Sequence, residues 1–410
     1  MTDQPQTALI SGAGIAGLVL GWWLRRSGVK PTIVELAPEI RKGGHPVDLW
    51  GSAVEVVDRM GLLPELQAAG THNDRGVMIT PGRPPLHMDL RRLEIGFADR
   101  HLEIMRGELV NALYRAVAGD VEFMFGNSIS KLEEREDKVQ VEFTSGTDRE
   151  FSFVVGADGQ HSNTRHLAFG KEAEFTNYIG GYICGYTIPN TMGLKNAIHR
   201  YVVPDKTVAV FPIRQSNELG VGFLFRSRDP INLHHRDTDG HKRLVRDRFK
   251  EDEWLVPQLL AGMDGAQDFY FEPFSQILMG GWVKSRIALV GDAGFGPSPA
   301  VGGGTSLAVV SAYMLARQIA NAADDPAHAL TAYERDVLPI VEKSRQIGPV
   351  LVKSLIPTSR LSIALSFLSA PILMALPRAI RGRLPLLPGK AVVGMRAIAE
   401  APLDPPHVRE

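Results

Sequence analysis

Three short clusters, far apart in the chain, carry the residue types that hold a dinucleotide. The first is Gly12-Ala13-Gly14-Ile15-Ala16-Gly17, with Glu35 lying 18 residues beyond Gly17. The second is Gly156-Ala157-Asp158-Gly159, followed by Ser162 and Arg165. The third is Gly291-Asp292-Ala293, followed by Pro297, Pro299 and the run Gly302-Gly303-Gly304. Glycines where a strand turns into a helix let the backbone approach a pyrophosphate and let the two elements pack closely. The helix N-terminus then offers free N–H groups and a partial positive charge to the phosphates. Glu35 falls where an acid can accept hydrogen bonds from ribose hydroxyls. By itself this first cluster does not separate FAD from NAD, and a merely tight turn is the competing reading.

The third cluster makes the separation. An aspartate at a strand's end, here Asp292, can hold a ribityl hydroxyl. The proline- and glycine-rich loop runs into a helix beginning near Gly304. Backbone N–H groups there can face the flavin N1 and O2 region, where negative charge builds on reduction. The second cluster, with Asp158, can support the pyrophosphate side or help dock a nicotinamide cofactor. A turn held by an Asp158–Arg165 ion pair is the structural alternative, and the two roles are compatible.

These clusters need elements to position them. Thr7 to Ser11 reads as a buried strand, Gly14 to Arg26 as a helix, and Pro31 to Glu35 as a second strand, a βαβ opening. Ser52 to Met60 reads as a helix capped by Ser52, and Arg106 to Val117 as another. Val139 to Phe143 alternates and should form a hairpin with Phe151 to Val155. From 173 to 280 strand-like runs dominate: Tyr178 to Tyr186, His199 to Val203, Val208 to Ile213, Leu219 to Arg226. This texture predicts an inserted antiparallel sheet covering a ligand. Ile287 to Val290 returns to the first domain as a buried strand. Helices follow over Gly304 to Ala323 and Pro326 to Ile347, then an apolar helical tail. The expected fold is α/β (α+β). A Rossmann-like FAD-binding domain (1–172 and 281–345) holds the inserted substrate sheet (173–280), with a C-terminal helical segment (346–410).

Bulk composition narrows the function classes. The chain has 410 residues, 44% of them hydrophobic, enough for a large core, and 22% charged. A net charge of -1 gives no electrostatic case for nucleic acid. Cys184 is the only cysteine, which excludes an intrachain disulfide and fits a reducing, cytoplasmic setting. The N-terminus shows no signal pattern. The longest apolar stretch, Leu361 to Leu376, is interrupted by Ser362, Ser366, Ser369 and Pro371 and falls short of a membrane span. Flanked by Arg360, Arg378, Arg381 and Arg383, it reads as helices packed on the core, with peripheral membrane contact as the alternative. The histidines are scattered (His45, His87, His101, His161, His199, His234, His235, His241) and show no metal spacing. His234-His235 adjoins a charged run and reads as part of a solvated helix face. No Gly-x-Ser-x-Gly nucleophile elbow occurs.

The order of the three clusters resembles the single-component, class A flavoprotein aromatic hydroxylases, the group containing para-hydroxybenzoate hydroxylase and the tetracycline-inactivating monooxygenases. The resemblance covers roughly residues 7 to 345 and is most specific at 12–17, 156–165 and 291–304. It implies flavin or nicotinamide contacts for Arg41, an isoalloxazine contact for Asp48, and a phosphate or ribityl contact for Arg106. The chain departs from the pattern at Gly294-Phe295, where alanine-histidine is usual, and at Ser306 and Ser311, where asparagine and aspartate are usual. By this resemblance NADPH or NADH would reduce FAD. A flavin C4a-hydroperoxide would then hydroxylate an apolar aromatic or polyketide-like small molecule with O2 as co-substrate. No residue is expected to act as a separate catalytic group, because the flavin carries the chemistry. A monomer or weak dimer is expected. A flavin-dependent dehydrogenase, reductase or halogenase of the same fold, or a flavin protein that binds ligand without turnover, are the alternatives. None of the five tryptophans lies in the Trp-x-Trp-x-Ile-Pro segment expected of a halogenase.

Overall fold

The computed structural model describes residues 5–41, 43–73, 75–90, 99–213, 216–234, 237–322, 325–376 and 389–404. The strand Thr7–Ser11 lies at the centre of a six-stranded sheet. Lys30–Glu35 and then Glu122–Phe125 flank it on one side. Phe153–Gly156, Ile287–Leu289 and the short antiparallel Val283–Lys284 lie on the other. The chain therefore reverses direction across the sheet between Thr7–Ser11 and Phe153–Gly156. A crevice forms at such a switch point, outside the carboxyl ends of the strands. All three glycine clusters leave the sheet at those ends.

The helix Ile15–Arg26 is apolar on nearly every side because it is sandwiched. It packs on this sheet and against the helix Gly304–Asn321, with Trp23 set edge-on to Tyr313 at 4.7 Å. A Cβ on Gly17 would overlap the Gly12 carbonyl oxygen, so only glycine lets helix and turn meet here.

The second large sheet has seven strands. In spatial order they are Tyr270–Ile277, Thr176–Pro189, Glu218–Arg226, Lys206–Ile213, Ile198–Val203, Arg75–Ile79 and Leu86–Asp89. It thus draws two strands from residues 75–89 as well as those from the middle of the chain. One face carries Tyr182, Cys184, Tyr186, Val208, Val210, Val221 and Phe223 into a core closed by Thr238–Phe249 and Val256–Gly262. Strand alternation turns the other residues toward the six-stranded sheet.

Three local expectations change. The partner of Val139–Phe143 is Asp148–Phe151, not Phe151 to Val155. At Ser152 the chain crosses over: its N–H donates to the Thr7 carbonyl at 2.9 Å, and Phe153 onward joins the six-stranded sheet. Ser52 does not cap its helix; Gly51 holds the cap position. The Ser52 hydroxyl instead donates to the Ala399 and Ala401 carbonyls, tying the helix Gly389–Ala399 back to the flavin domain. His234 is exposed, as expected, but sits in a non-helical segment at the wall of the central cavity, and His235, Arg378, Arg381 and Arg383 lie outside the described residues. The apolar tail forms the helices Gly348–Leu355 and Arg360–Ala375. No single helix among the described residues is long and apolar enough to cross a membrane.

Candidate active site

A cavity of about 1580 Å³ opens at the switch point. Gly12, Ala13, Gly14, Ile15 and Ala16 line it, together with Glu35, Arg41, Arg106, Asp158, Asp292, Pro299, Gly302 and Gly304. Gly17 and Gly303 do not: Gly17 is the helix-to-turn contact, and Gly303 packs near Trp50 and Ile398. Asp48 also lies off the lining. Its Oδ1 is 2.8 Å from Nε2 of His101, and its Oδ2 approaches the Gly302 turn.

Two helix N-termini meet here without side-chain caps. Gly14 caps Ile15–Arg26 and Gly303 caps Gly304–Asn321, and neither first turn holds an acid. Uncapped N–H groups and the positive ends of both dipoles therefore face the cavity, a setting that favours anionic oxygens. Arg106, at the start of Arg106–Val117, adds a full charge; its N–H donates to the His45 carbonyl at 3.0 Å. Burial and the neighbouring Arg41 lower the Arg106 pKa, offset by Asp292 and Glu35. Asp292 lies deep in the molecule yet opens onto the cavity lumen. Burial pushes its carboxyl upward, and Arg106 acts against that rise. These donors, one acid and two arginines fit an extended dinucleotide.

Glu35 also braces the glycine turn. Its carboxylate accepts the Ala13 N–H at 2.9 Å and the Ala37 N–H at 2.8 Å. One lone pair on each oxygen is left for a hydroxyl donor.

The second cluster is a strap rather than an ion pair. Asp158 does not reach Arg165. It accepts from the hydroxyls of Ser11 and Ser162, and from the Thr164 N–H at 2.9 Å and hydroxyl at 2.8 Å. Arg165, fully buried, donates to the Ala293 carbonyl at 2.8 Å and the Gln160 carbonyl at 2.6 Å. So Asp158 joins the second cluster to the first, and Arg165 joins it to the third.

Several site residues were invisible as such in the sequence. His161, on the second-cluster loop, has Nδ1 2.9 Å from Glu172 and Nε2 3.5 Å from Glu272 on the seven-stranded sheet. These two carboxylates raise its pKa to about 10 against the cost of burial. His45 lies beside Tyr270, with ring centroids 5.4 Å apart. Burial and Arg106 lower the His45 pKa to about 4, so the ring is neutral. On the face of the seven-stranded sheet that bears the cavity-lining Glu272, cross-strand partners form the row Tyr270, Gly185, Gly222, Ala209, Arg200. Gly222 and Ala209 leave part of that row nearly bare, while the Tyr270 ring lies over Gly185. Arg200 at its end is half-buried, burial lowers its pKa, and among the described residues it has no hydrogen-bond or ion-pair partner. An arginine between His199 and Tyr201 in an otherwise apolar strand was the one sequence signal that could have marked it.

A family model described as an FAD binding domain matches residues 6–346. The flavin-dependent monooxygenase of Legionella longbeachae is 35% identical over 341 residues, covering 83% of this chain and 87% of that protein. The uncharacterized protein Rv1260 of Mycobacterium tuberculosis is 36% identical over 343 residues, covering 83% and 92%. The crystal structure of tetracycline destructase Tet(55) superposes with a TM-score of 0.79 at 32% identity, covering 91% of this chain and 97% of that one. With its uncapped helix ends, Arg106 and Asp292 around one cavity, the chain belongs to the FAD-dependent monooxygenases, and FAD is its cofactor.

Proposed function

We propose that this monooxygenase hydroxylates a flat aromatic or polyketide-like molecule at the expense of NADPH or NADH. The observation that carries the reading is the small-residue row Gly222 and Ala209 on the sheet face that also bears the cavity-lining Glu272, ending in Arg200, which has no hydrogen-bond or ion-pair partner among the described residues. Side-chain-free backbone at Gly222, beside the Tyr270 ring that covers Gly185, suits a planar ligand, and the guanidinium suits an acidic or enolic oxygen at one end of it. The cavity is also larger than the roughly 300–1,000 Å³ of a single small-molecule site, which leaves room beside the cofactor. The named tetracycline destructases support a polycyclic substrate class by their likeness.

In this reading the N-termini of Ile15–Arg26 and Gly304–Asn321 and the turn Gly12–Gly17 hold the FAD pyrophosphate and flavin carbonyl side. Glu35 takes the ribose hydroxyls, Asp292 the ribityl chain, and Arg106 the phosphate side. Asp48 acts through the Gly302 turn, and Arg41 stands at the outer rim, where a nicotinamide cofactor would approach. Pro299, Gly303 and Asp158 keep the loops in place. FAD, when bound, supplies the activation of dioxygen. The chain's residues bind, orient and exclude water. His45, neutral, can donate or accept one hydrogen bond without adding charge. The seven-stranded sheet, with residues 173–280 as its main part, is assigned to the substrate, and 1–172 with 281–345 to FAD.

The test is direct. The purified holoenzyme should be yellow. It should consume NADPH or NADH and oxygen in equal amounts when stimulated by members of a panel of phenols and polyketides, with an added oxygen in the product mass. Turnover without oxygen uptake would convert the reading to a dehydrogenase, and tight ligand binding without turnover to a sequestering protein.

A further inference from the structure

The helix Arg360–Ala375 presents an unusual surface. It packs inward through Ile363 and contacts the strands Ile198–Val203 and Leu86–Asp89. Arg83, at the turn before the second of these strands, stands over the Phe367 ring at 5.9 Å. Outward it shows Leu361, Leu365, Leu368 and Ile372, exposed by 70%, 55%, 63% and 65%. At 100° per residue these four fall on one stripe about 60° wide. After Arg360 the helix carries no charged residue. Ser362, Ser366 and Ser369 give it one weakly polar flank; a helix with so few polar groups is ordinarily buried or set against lipid, and this one is buried on one side.

The charge around the stripe says what covers the other side. From Lys343 to Ala399 the sequence holds nine lysines and arginines and no aspartate or glutamate. At the chain's average acidity about six acids would fall there. Of these cations Arg360 is exposed at the start of the stripe and Lys353 on the preceding helix, whereas Arg345 donates to the Met279 carbonyl and Arg396 pairs with Glu400; Arg83 adds a cation from the neighbouring turn. Asp205 nearby lies 3.8 Å from Arg226. The whole chain, by contrast, carries a net charge of -1. An apolar stripe on a helix roughly 24 Å long, edged by cations in an acid-free segment, has the pattern of a helix lying in an anionic lipid interface. A second copy of the chain would bring two like-charged surfaces together. A nucleic acid would leave the leucines unused.

We infer that Arg360–Ala375 docks this enzyme on an anionic membrane surface, in the plane of the headgroups. Docking places the seven-stranded sheet, and the substrate row on it, next to the phase in which apolar polycyclic molecules concentrate.

The experiment is co-flotation of the full-length holoenzyme with vesicles of phosphatidylcholine alone or mixed with phosphatidylglycerol. The protein should float with the phosphatidylglycerol vesicles, stay below with phosphatidylcholine, and release as salt is raised. Leu365→Glu with Leu368→Glu should weaken binding at least tenfold. Lys353→Glu with Arg360→Glu should do the same through charge alone, which keeps the test open if the first pair fails to fold. Both should retain the flavin spectrum. Wild-type protein that ignores anionic vesicles, or a Leu365→Glu, Leu368→Glu protein that floats like wild type, would overturn the inference. A dimer in sedimentation that the same pair abolishes would assign the face to a second copy instead.

Discussion

Arg200 and Asp292 show how differently two charged residues enter a site. Asp292 follows a strand end, and the Arg106 charge acts in favour of its ionised form against burial. Arg200 has no such partner among the described residues. A half-buried cation without a partner leaves its N–H donors open to a ligand oxygen. Arg200→Met should therefore raise KM for the accepted substrate by about 10- to 100-fold, the size of a charged hydrogen bond. Flavin content should stay unchanged. A KM equal to wild type in steady-state kinetics would remove Arg200 from the substrate site. The first glycine cluster, Glu35 and Asp292 were legible as residues because their chemistry depends on local sequence order. Arg200, Tyr270 and Glu272 were not, because their roles come from strands that meet only in the sheet.

At the scale of elements, the two glycines of the first turn do different work. Gly17 lies where a Cβ would overlap the Gly12 carbonyl, whereas a Cβ on Gly14 would meet only the Ala157 oxygen at 4.0 Å and point toward the cavity. Gly14 also has φ -79, which alanine accepts. Gly17→Ala should thus force helix and strand apart. The overpacking cost of about 1–3 kcal/mol lowers the thermal midpoint by several degrees. Gly14→Ala should keep that midpoint in the apoprotein but bind FAD more weakly, read by flavin fluorescence titration. Equal behaviour of the two variants would contradict this division. The βαβ opening was readable because its strand, turn and helix are contiguous. The shift of the Val139–Phe143 partner to Asp148–Phe151 was not, since the chain's crossover at Ser152 is set by pairing with Thr7, far away in sequence. Ser52 shows the same limit: a residue with cap chemistry was claimed by the C-terminal carbonyls of Ala399 and Ala401.

Across the whole molecule, His161 clasps the flavin domain to the seven-stranded sheet. It faces Glu172 on one side and Glu272 on the other, with the Arg165 guanidinium 3.5 Å from Glu172. Its folded pKa of about 10 exceeds the ordinary 6.5. The clasp therefore contributes fully below pH 6.5, and its contribution fades as pH rises through about 10. Partial exposure and screening limit it to on the order of 1 kcal/mol. His161→Gln should lower the thermal midpoint by about 1–2 °C at pH 6, with the gap to wild type closing toward pH 10. A gap that does not change with pH would show that the pair carries no linkage.

The sequence by itself determined the cofactor class, the order of the three clusters and the α/β frame that presents them. Each of these rests on short-range rules: glycine at a turn, an acid at a strand end, an apolar period. Only the tertiary structure decided that Asp158 and Arg165 serve as straps between clusters and that Gly185, Gly222 and Arg200 share one row. It also decided that the apolar tail turns half its surface outward. Those relations depend on strand register and on which face an element buries, and both are set by contacts between separate elements rather than by neighbours in the chain.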